Sequence, residues 1–378
     1  MTGSTPDLSA EWRERARRFA EREVKPRALS IDREDRVPES LVRALARERF
    51  AGLGVPESWD GVGGDTRSTV AVLEELAYGS AAVAVLLAVH LSVCAAPILE
   101  HGTDTQRERF LRPLARGERI GAFGLTEPGA GSDTARIATR YVRGSDGFVL
   151  HGTKMFTSNA VSAGVILVFA TSDPKLGNRG ISAFIVPPGT AGFSVAQRMD
   201  KLGLRGSETT ELVLDDVRLP ADALLGEEGT GLRIALGALA GGRVGIASCA
   251  LGVARAAFEE MRRSVRRVDA EWKRPLLARA YAELSAARAL VERAAARKDA
   301  GVPFVQEASV AKLVASRAAV SIASAGVDVA GFEGVRTGAA PERLLRDARV
   351  FPIVEGTTEI QELILARSLL RGEPGPSL

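Results

Sequence analysis

Cysteine is nearly absent from this chain. The two present, Cys94 and Cys249, lie far apart, each among Ala, Val and Leu. That excludes a disulfide framework and makes buried free thiols the expectation. There are three histidines, none spaced with a second ligand, so no metal is expected. Charge of one sign is also missing: 50 Lys and Arg stand against 47 Asp and Glu, a net +3. No basic block is interleaved with aromatics, which make up only 5% of the chain, and this argues against a nucleic-acid partner. The densest basic run, Arg262-Arg263-Ser264-Val265-Arg266-Arg267, reads as a solvated helix face. The slight basic bias also suits a pocket for a phosphate-bearing ligand. The first eleven residues have no basic stretch ahead of an apolar one, unlike a secretory signal. The longest purely apolar run, 81–89, is too short to span a bilayer, and His90, Ser92 and Pro97 follow it. A buried bundle helix is expected there, with no membrane span. These absences point to a cytoplasmic protein.

What is present divides into three parts. Helical periodicity predicts helices over 11–24, 39–50, 68–78 and 103–115. Near Gly121 the character changes, and short β-type runs appear at 148–151, 165–170, 181–186, 192–195 and 212–214. Turn signals such as Ser145-Asp146-Gly147 and Pro187-Pro188-Gly189 separate them. After Gly229, long Ala/Leu/Arg-rich stretches predict helices over 232–264, 278–298, 305–329 and 358–370. The expected fold class is α+β, mostly α. It comprises an N-terminal helical domain (1–118), a middle β-barrel-like domain (119–228) and a C-terminal four-helix bundle (229–378). The tail 372–378 is expected to be loose.

Four stretches carry chemistry. In Val354-Glu355-Gly356-Thr357-Thr358-Glu359-Ile360-Gln361 a carboxylate precedes a glycine and a helix start. Thr358 can cap that helix with Gln361 as capping-box partner. In an apolar cleft the Glu355 pKa rises and it becomes a usable general base. In Phe123-Gly124-Leu125-Thr126-Glu127-Pro128-Gly129-Ala130-Gly131-Ser132-Asp133 a turn exposes amides and hydroxyls that can cradle a phosphate or a ring edge. In Gly152-Thr153-Lys154-Met155-Phe156-Thr157-Ser158-Asn159 an aromatic precedes two hydroxyls. The fourth is Lys201-Leu202-Gly203-Leu204-Arg205-Gly206-Ser207-Glu208-Thr209-Thr210-Glu211-Leu212, followed by a Pro-terminated strand. Alone, each has an ordinary reading: a helix-leading acid, a structural turn, a strand with Phe156 in the core, and a loop.

In this order and spacing, the four stretches resemble the acyl-CoA dehydrogenase family, from Val55-Pro56-Glu57 onward. The resemblance implies a helical domain, a β domain and a four-helix bundle, bound FAD, and tetramers built as dimers of dimers. It implies that Glu355 removes the α-proton of an acyl thioester while the β-hydrogen leaves as hydride to the flavin. The Glu backbone N–H would help grip the thioester carbonyl, an interaction worth about 3–4 kcal/mol per donor in comparable sites. Flavin contacts are implied for Phe123, Leu125, Thr126, Gly131, Ser132, Phe156, Thr157, Ser158, Asp328, Gly331, Thr357 and Glu359. Substrate contacts are implied for Ser132, Arg243 and Gly356, and Val89 and Val354 match pocket-lining positions. Implied partners are an acyl-CoA or acyl-carrier-protein thioester, an electron-transfer flavoprotein or similar acceptor, and further copies of the chain. Some family members carry the base at the position of Gly242, which cannot serve, leaving Glu355. The chain departs from the family at three places. No Arg-x-x-Phe-Gly segment occurs in 257–271, Asp328 replaces a glutamine, and Ala240 replaces an acid. A carrier-bound thioester, an oxidase, and a flavin-poor, non-catalytic partner subunit therefore stay open beside the dehydrogenase.

Overall fold

A computed structural model describes residues 8–268 and 270–371. The expected loose tail 372–378 lies outside the described residues, as do residues 1–7 of the segment read for a signal. N-terminal helices pack on a C-terminal helical set, with an eight-stranded sheet between them in sequence.

The helical parts share one core. Helices Ser9–Phe19, Thr66–Gly79, Gly231–Arg267 and Lys273–Asp299 meet at two buried carboxylates, Glu74 and Glu75. Arg13 and Arg288 reach Glu74 at 2.8 and 2.7 Å, and Arg255 reaches Glu75 at 2.5 Å. Burial alone would raise the Glu74 carboxyl; the surrounding guanidiniums outweigh it and hold the group below its ordinary range. The expected end-of-chain helix, Thr358–Leu370, has the predicted bounds. The others differ at their ends by a few residues, and Ala340–Ala348 is an additional helix.

The apolar run at 81–89 is buried as expected, but His90, Ser92 and Pro97 do not end it. A π-helical segment, His90–Ala95, carries the helix on to Ala96–His101. His90 is fully buried and orders the junction with the sheet. The Gly121 N–H donates to its Nδ1, and Nε2–H donates to the Ala51 carbonyl, both at 3.1 Å. Burial pushes the imidazole down to about 4, so it is neutral. By length and composition, three helices could cross a membrane: Ala81–His101, Gly231–Arg267 and Val305–Ala330. The most apolar windows of the first two are 83% and 78% buried inside the protein; that of the third is 44% buried. The run 81–89 alone is too short to span, and the π-helical continuation supplies the added length.

The strands are β1 (Ile120–Gly124), β2 (Arg140–Arg143), β3 (Gly147–Ser158), β4 (Ala163–Thr171), β5 (Ile181–Val186), β6 (Phe193–Arg198), β7 (Thr209–Pro220) and β8 (Leu224–Leu225). Their order is β6-β7-β3-β2-β4-β5-β8, with β1 parallel to β4. β1, β2 and β8 were not foreseen. Pairing of β3 with β7 also brings His151 beside Asp215 and Asp216, with ligand atoms within 4.8 Å of one another. Spacing along the sequence does not show this grouping, which the strand pairing makes, and all three side chains are exposed.

Candidate active site

Hydrogen bonds tie the four stretches into one frame. Lys154, on β3, is fully buried and donates to the Glu127 carboxylate at 2.6 Å and the Leu125 carbonyl at 3.2 Å. The Met155 N–H donates to the Thr126 carbonyl at 2.7 Å, locking the second stretch to the third. Glu127 also accepts from the Ala138 and Thr139 amides. Burial would raise its carboxyl, but Lys154 and these donors hold it below the ordinary range. The reading of residues 123–133 missed this pair, treating Glu127 only as part of a turn. Lys154→Met leaves the carboxylate buried without its cation, so a stability loss of about 3–5 kcal/mol is expected in urea unfolding.

Beyond Lys154 the register of β3 on β7 slips, leaving Met155 and Phe156 in a bulge. Phe156 has a φ of 55° and is 62% exposed. The ordinary reading of this stretch taken alone, with Phe156 in the core, therefore does not hold: the bulge turns its ring outward, and the helical core does not cover it. Thr157 is buried, with an Oγ1 that has no partner, and Ser158 is half-buried. The Thr210 hydroxyl donates to the Thr157 carbonyl at 3.2 Å, joining the third stretch to the fourth. The fourth in turn meets the segment before Glu355. The Leu204 N–H donates to Asp347 Oδ1 at 2.7 Å, and Arg346 clasps Asp32 at 2.8 and 2.7 Å.

Glu355 sits at the end of this frame with a φ of 55°, a strain of about 1–2 kcal/mol that surrounding contacts must hold. The residue is half-buried overall, but its Oε2 is shielded from solvent and has no hydrogen-bond partner. Its backbone N–H donates to nothing in the described protein. A Cβ added to Gly242 would lie 1.9 Å from Oε2, so the carboxylate occupies the space that this glycine leaves on helix Gly231–Arg267. Burial pushes the Glu355 carboxyl up to about 7, against the pull of Arg243 and Lys312. Arg243 is buried with an unpartnered Nε, and burial lowers its pKa while Glu355 opposes that.

The helix after Glu355 is capped differently from the expectation. Thr357, not Thr358, is the N-cap, its hydroxyl accepting from the Ile360 N–H. Gln361 is not a capping-box partner: its Nε2 donates to the Gly356 carbonyl at 3.0 Å. Lys312 donates to the same carbonyl at 2.8 Å. Gly356 can therefore offer a substrate only its N–H. Phe123 and Val354 both pack, half-buried, on the helical core, and Val89 is buried in it. Leu125 is buried, Thr126 half-buried, and Gly131 and Ser132 exposed on their loop. Glu359 is exposed beside Thr357. Asp328 and Gly331 are not brought here. Asp328 lies at the exposed C-terminal end of Val305–Ala330, sixteen residues past Lys312 and roughly 24 Å along the helix, and Gly331 is the exposed C-cap three residues further on.

Three family models match in sequence order: the N-terminal domain of acyl-CoA dehydrogenase over residues 7–118, the middle domain over 122–217, and the C-terminal domain over 229–370. The chain belongs to the acyl-CoA dehydrogenase family. It is 39% identical to a short-chain specific acyl-CoA dehydrogenase of Clostridium acetobutylicum, over 95% of this chain and 97% of that one. Butyryl-CoA dehydrogenase of Megasphaera elsdenii superposes with a TM-score of 0.95 at 38% identity, over 98% of this chain and 100% of that one. A chain solved in work on the electron transferring flavoprotein of Acidaminococcus fermentans gives the same TM-score at 33% identity, over 98% and 100%. The fold and FAD-dependent acyl-CoA dehydrogenation follow from this membership. The residues fit the cofactor: the sheet and its loop offer an outward aromatic at Phe156, an orphaned buried hydroxyl at Thr157 and exposed amides at Gly131 and Ser132.

Proposed function

We propose that Glu355 is the base of an FAD-dependent dehydrogenase acting on short-chain acyl-CoA. The observation that carries this is a shielded, unpartnered carboxylate oxygen seated against Gly242. A carboxylate raised to about 7 is matched to abstracting a weakly acidic α-proton near neutral pH. The open Glu355 N–H is suited to donate to the thioester carbonyl as charge develops on it. Phe156, Thr126, Thr157, Ser158 and Ser132 would hold FAD, which supplies the acceptor for the hydride leaving the β-carbon. Arg243 supplies positive charge that partly offsets the burial of the carboxylate. Short acyl chains are inferred because the similar enzymes named above are short-chain and butyryl-CoA dehydrogenases.

The proposal extends to assembly. The bundle exposes Trp272, Tyr281, Phe332, Val335, Leu363 and Leu369, with Phe332 80% exposed. Together with the half-covered apolar helix Val305–Ala330, they support a homo-oligomer, a tetramer by family resemblance. Asp328 and Gly331 would then act at the neighbouring copy's flavin. An electron-transfer flavoprotein is the inferred acceptor. A division at 1–118, 119–228 and 229–378 and a cytoplasmic location complete the reading, the latter supported by the burial of the two most apolar helices.

The test is a thioester panel with an artificial electron acceptor, using butyryl-CoA, longer acyl-CoAs and butyryl on a carrier protein. Flavin bleaching and turnover with butyryl-CoA are expected, followed by slow reoxidation in air. Turnover only with the carrier-linked thioester, or fast reoxidation by oxygen, would contradict the proposal.

A further inference from the structure

We propose that Lys312 is the positioning residue for the base. Its buried ammonium bridges the backbone on both sides of Glu355 and faces the carboxylate with the opposite charge. This rests on Glu355 being the base.

Lys312 lies on Val305–Ala330, a helix separate from the Glu355 segment, and it is fully buried. Its Nζ donates to the Gly356 carbonyl at 2.8 Å and the Pro352 carbonyl at 3.2 Å. One ammonium thus joins the carbonyls three residues before and one residue after Glu355. A fully buried lysine is uncommon and is expensive unless its donors are satisfied. Here two donors are used on the loop that holds the strained residue. Gln361 adds a second donor to the Gly356 carbonyl at 3.0 Å. A Cβ on Gly356, whose φ is 94°, would lie 2.6 Å from Gln361 Nε2, so the clamp closes directly on the backbone.

Charge around the carboxylate comes from few sources. Helix Gly231–Arg267 contributes Arg243 and the Cys249 thiol, which burial pushes up and keeps neutral. Val305–Ala330 contributes Lys312, and Glu359, on Thr358–Leu370, acts on Lys312. Burial pushes Lys312 down to about 8, opposed by Glu355, assisted by Arg243 and opposed again by Glu359. Without Lys312, Arg243 alone opposes the burial of Glu355, and ionisation shifts to higher pH. The sign for stability follows. Glu355 has a folded value above that of a free carboxyl, about 4.3. Its contribution is fully present below that pH and is lost as pH rises through about 7.

Lys312→Met and Lys312→Gln, each made in the parent and in the Glu355→Gln background, test this. For Lys312→Met, kcat is expected to fall roughly tenfold or more with KM within about twofold. The acid limb of kcat/KM moves above pH 7. Lys312→Gln retains a donor for the carbonyl but not the charge, so its limb moves equally while kcat falls less. A readout independent of turnover is the thermal midpoint at pH 5.5 and pH 8. Because Lys312 is itself lowered to about 8, its loss costs more at pH 8 than at pH 5.5 in either background, and the coupling is read as the excess loss at pH 8 when Glu355 is present. An unmoved limb and a stability loss of the same size in both backgrounds at pH 8 would overturn the proposal. If Lys312→Met does not fold, Lys312→Gln decides by the same readouts. If Glu355→Gln itself keeps turnover, the base assignment fails, and the thermal midpoints still report whether the two groups are coupled.

Discussion

Glu355→Gln is expected to fold, to retain FAD and to lose on the order of 10³- to 10⁴-fold in kcat, the upper range for removing a general base. Glutamine keeps the shape of the side chain, but it cannot take a proton. The interaction lost exists mainly in the transition state, so kcat and kcat/KM should fall together. In the parent enzyme, kcat/KM should rise with pH and level off above about 7, following the buried carboxyl. Steady-state kinetics with butyryl-CoA and the flavin absorption band check both halves. A variant that turns over at a tenth of the parental rate would point to another base.

Gly242→Ala carries the second large effect, and it arises from steric contact rather than proton chemistry. Alanine is the better helix former by about 1 kcal/mol, so a site without neighbours would gain stability. Here the new methyl would lie 1.9 Å from Glu355 Oε2 and 2.8 Å from its Cδ. The carboxylate must swing away, and it is held by a strained backbone that resists following. A displacement of about 1 Å at a reacting group costs about 100-fold in rate, and that is the expected fall in kcat. Overpacking should cost about 1–3 kcal/mol in stability. Parental activity in this variant would mean that the carboxylate works from another position.

The two-helix-layers-and-sheet plan was legible from periodicity alone. Strand Ile181–Val186 and helix Thr358–Leu370 have the foreseen bounds because each is a continuous pattern with clear punctuation. β1 escaped because Ile-Gly-Ala-Phe-Gly has little strand propensity; its parallel pairing with β4 and its burial make it a strand. β2 escaped because three of its four residues face solvent. His90, Ser92 and Pro97 read as helix enders, yet a π-helical segment and two carbonyl-or-amide partners for His90 accommodate them. In the site, Glu355 stands out in sequence through its own stretch, while Arg243 and Gly242 stand out only through the family resemblance. Lys312 does not: a lysine in an Ala-rich helix reads as a solvated residue. Only packing of that helix under 352–356 reveals its two carbonyl partners. Lys154 was likewise illegible, since its partner Glu127 is 27 residues away and meets it through the sheet. Adjacent threonines at 357 and 358 offer equivalent caps in sequence, and the turn through Gly356 selects the first.

The most direct measurement of what Glu355 does is exchange of the substrate α-proton. Butyryl-CoA is incubated with the parent and with Glu355→Gln in deuterated water, and deuterium at the α-carbon is followed by mass spectrometry. Deuterium should enter with the parent, and its rate should rise as pH passes about 7. No enzyme-dependent exchange should occur with Glu355→Gln. Equal exchange by the two proteins would contradict the assignment of Glu355 as the group that takes the proton.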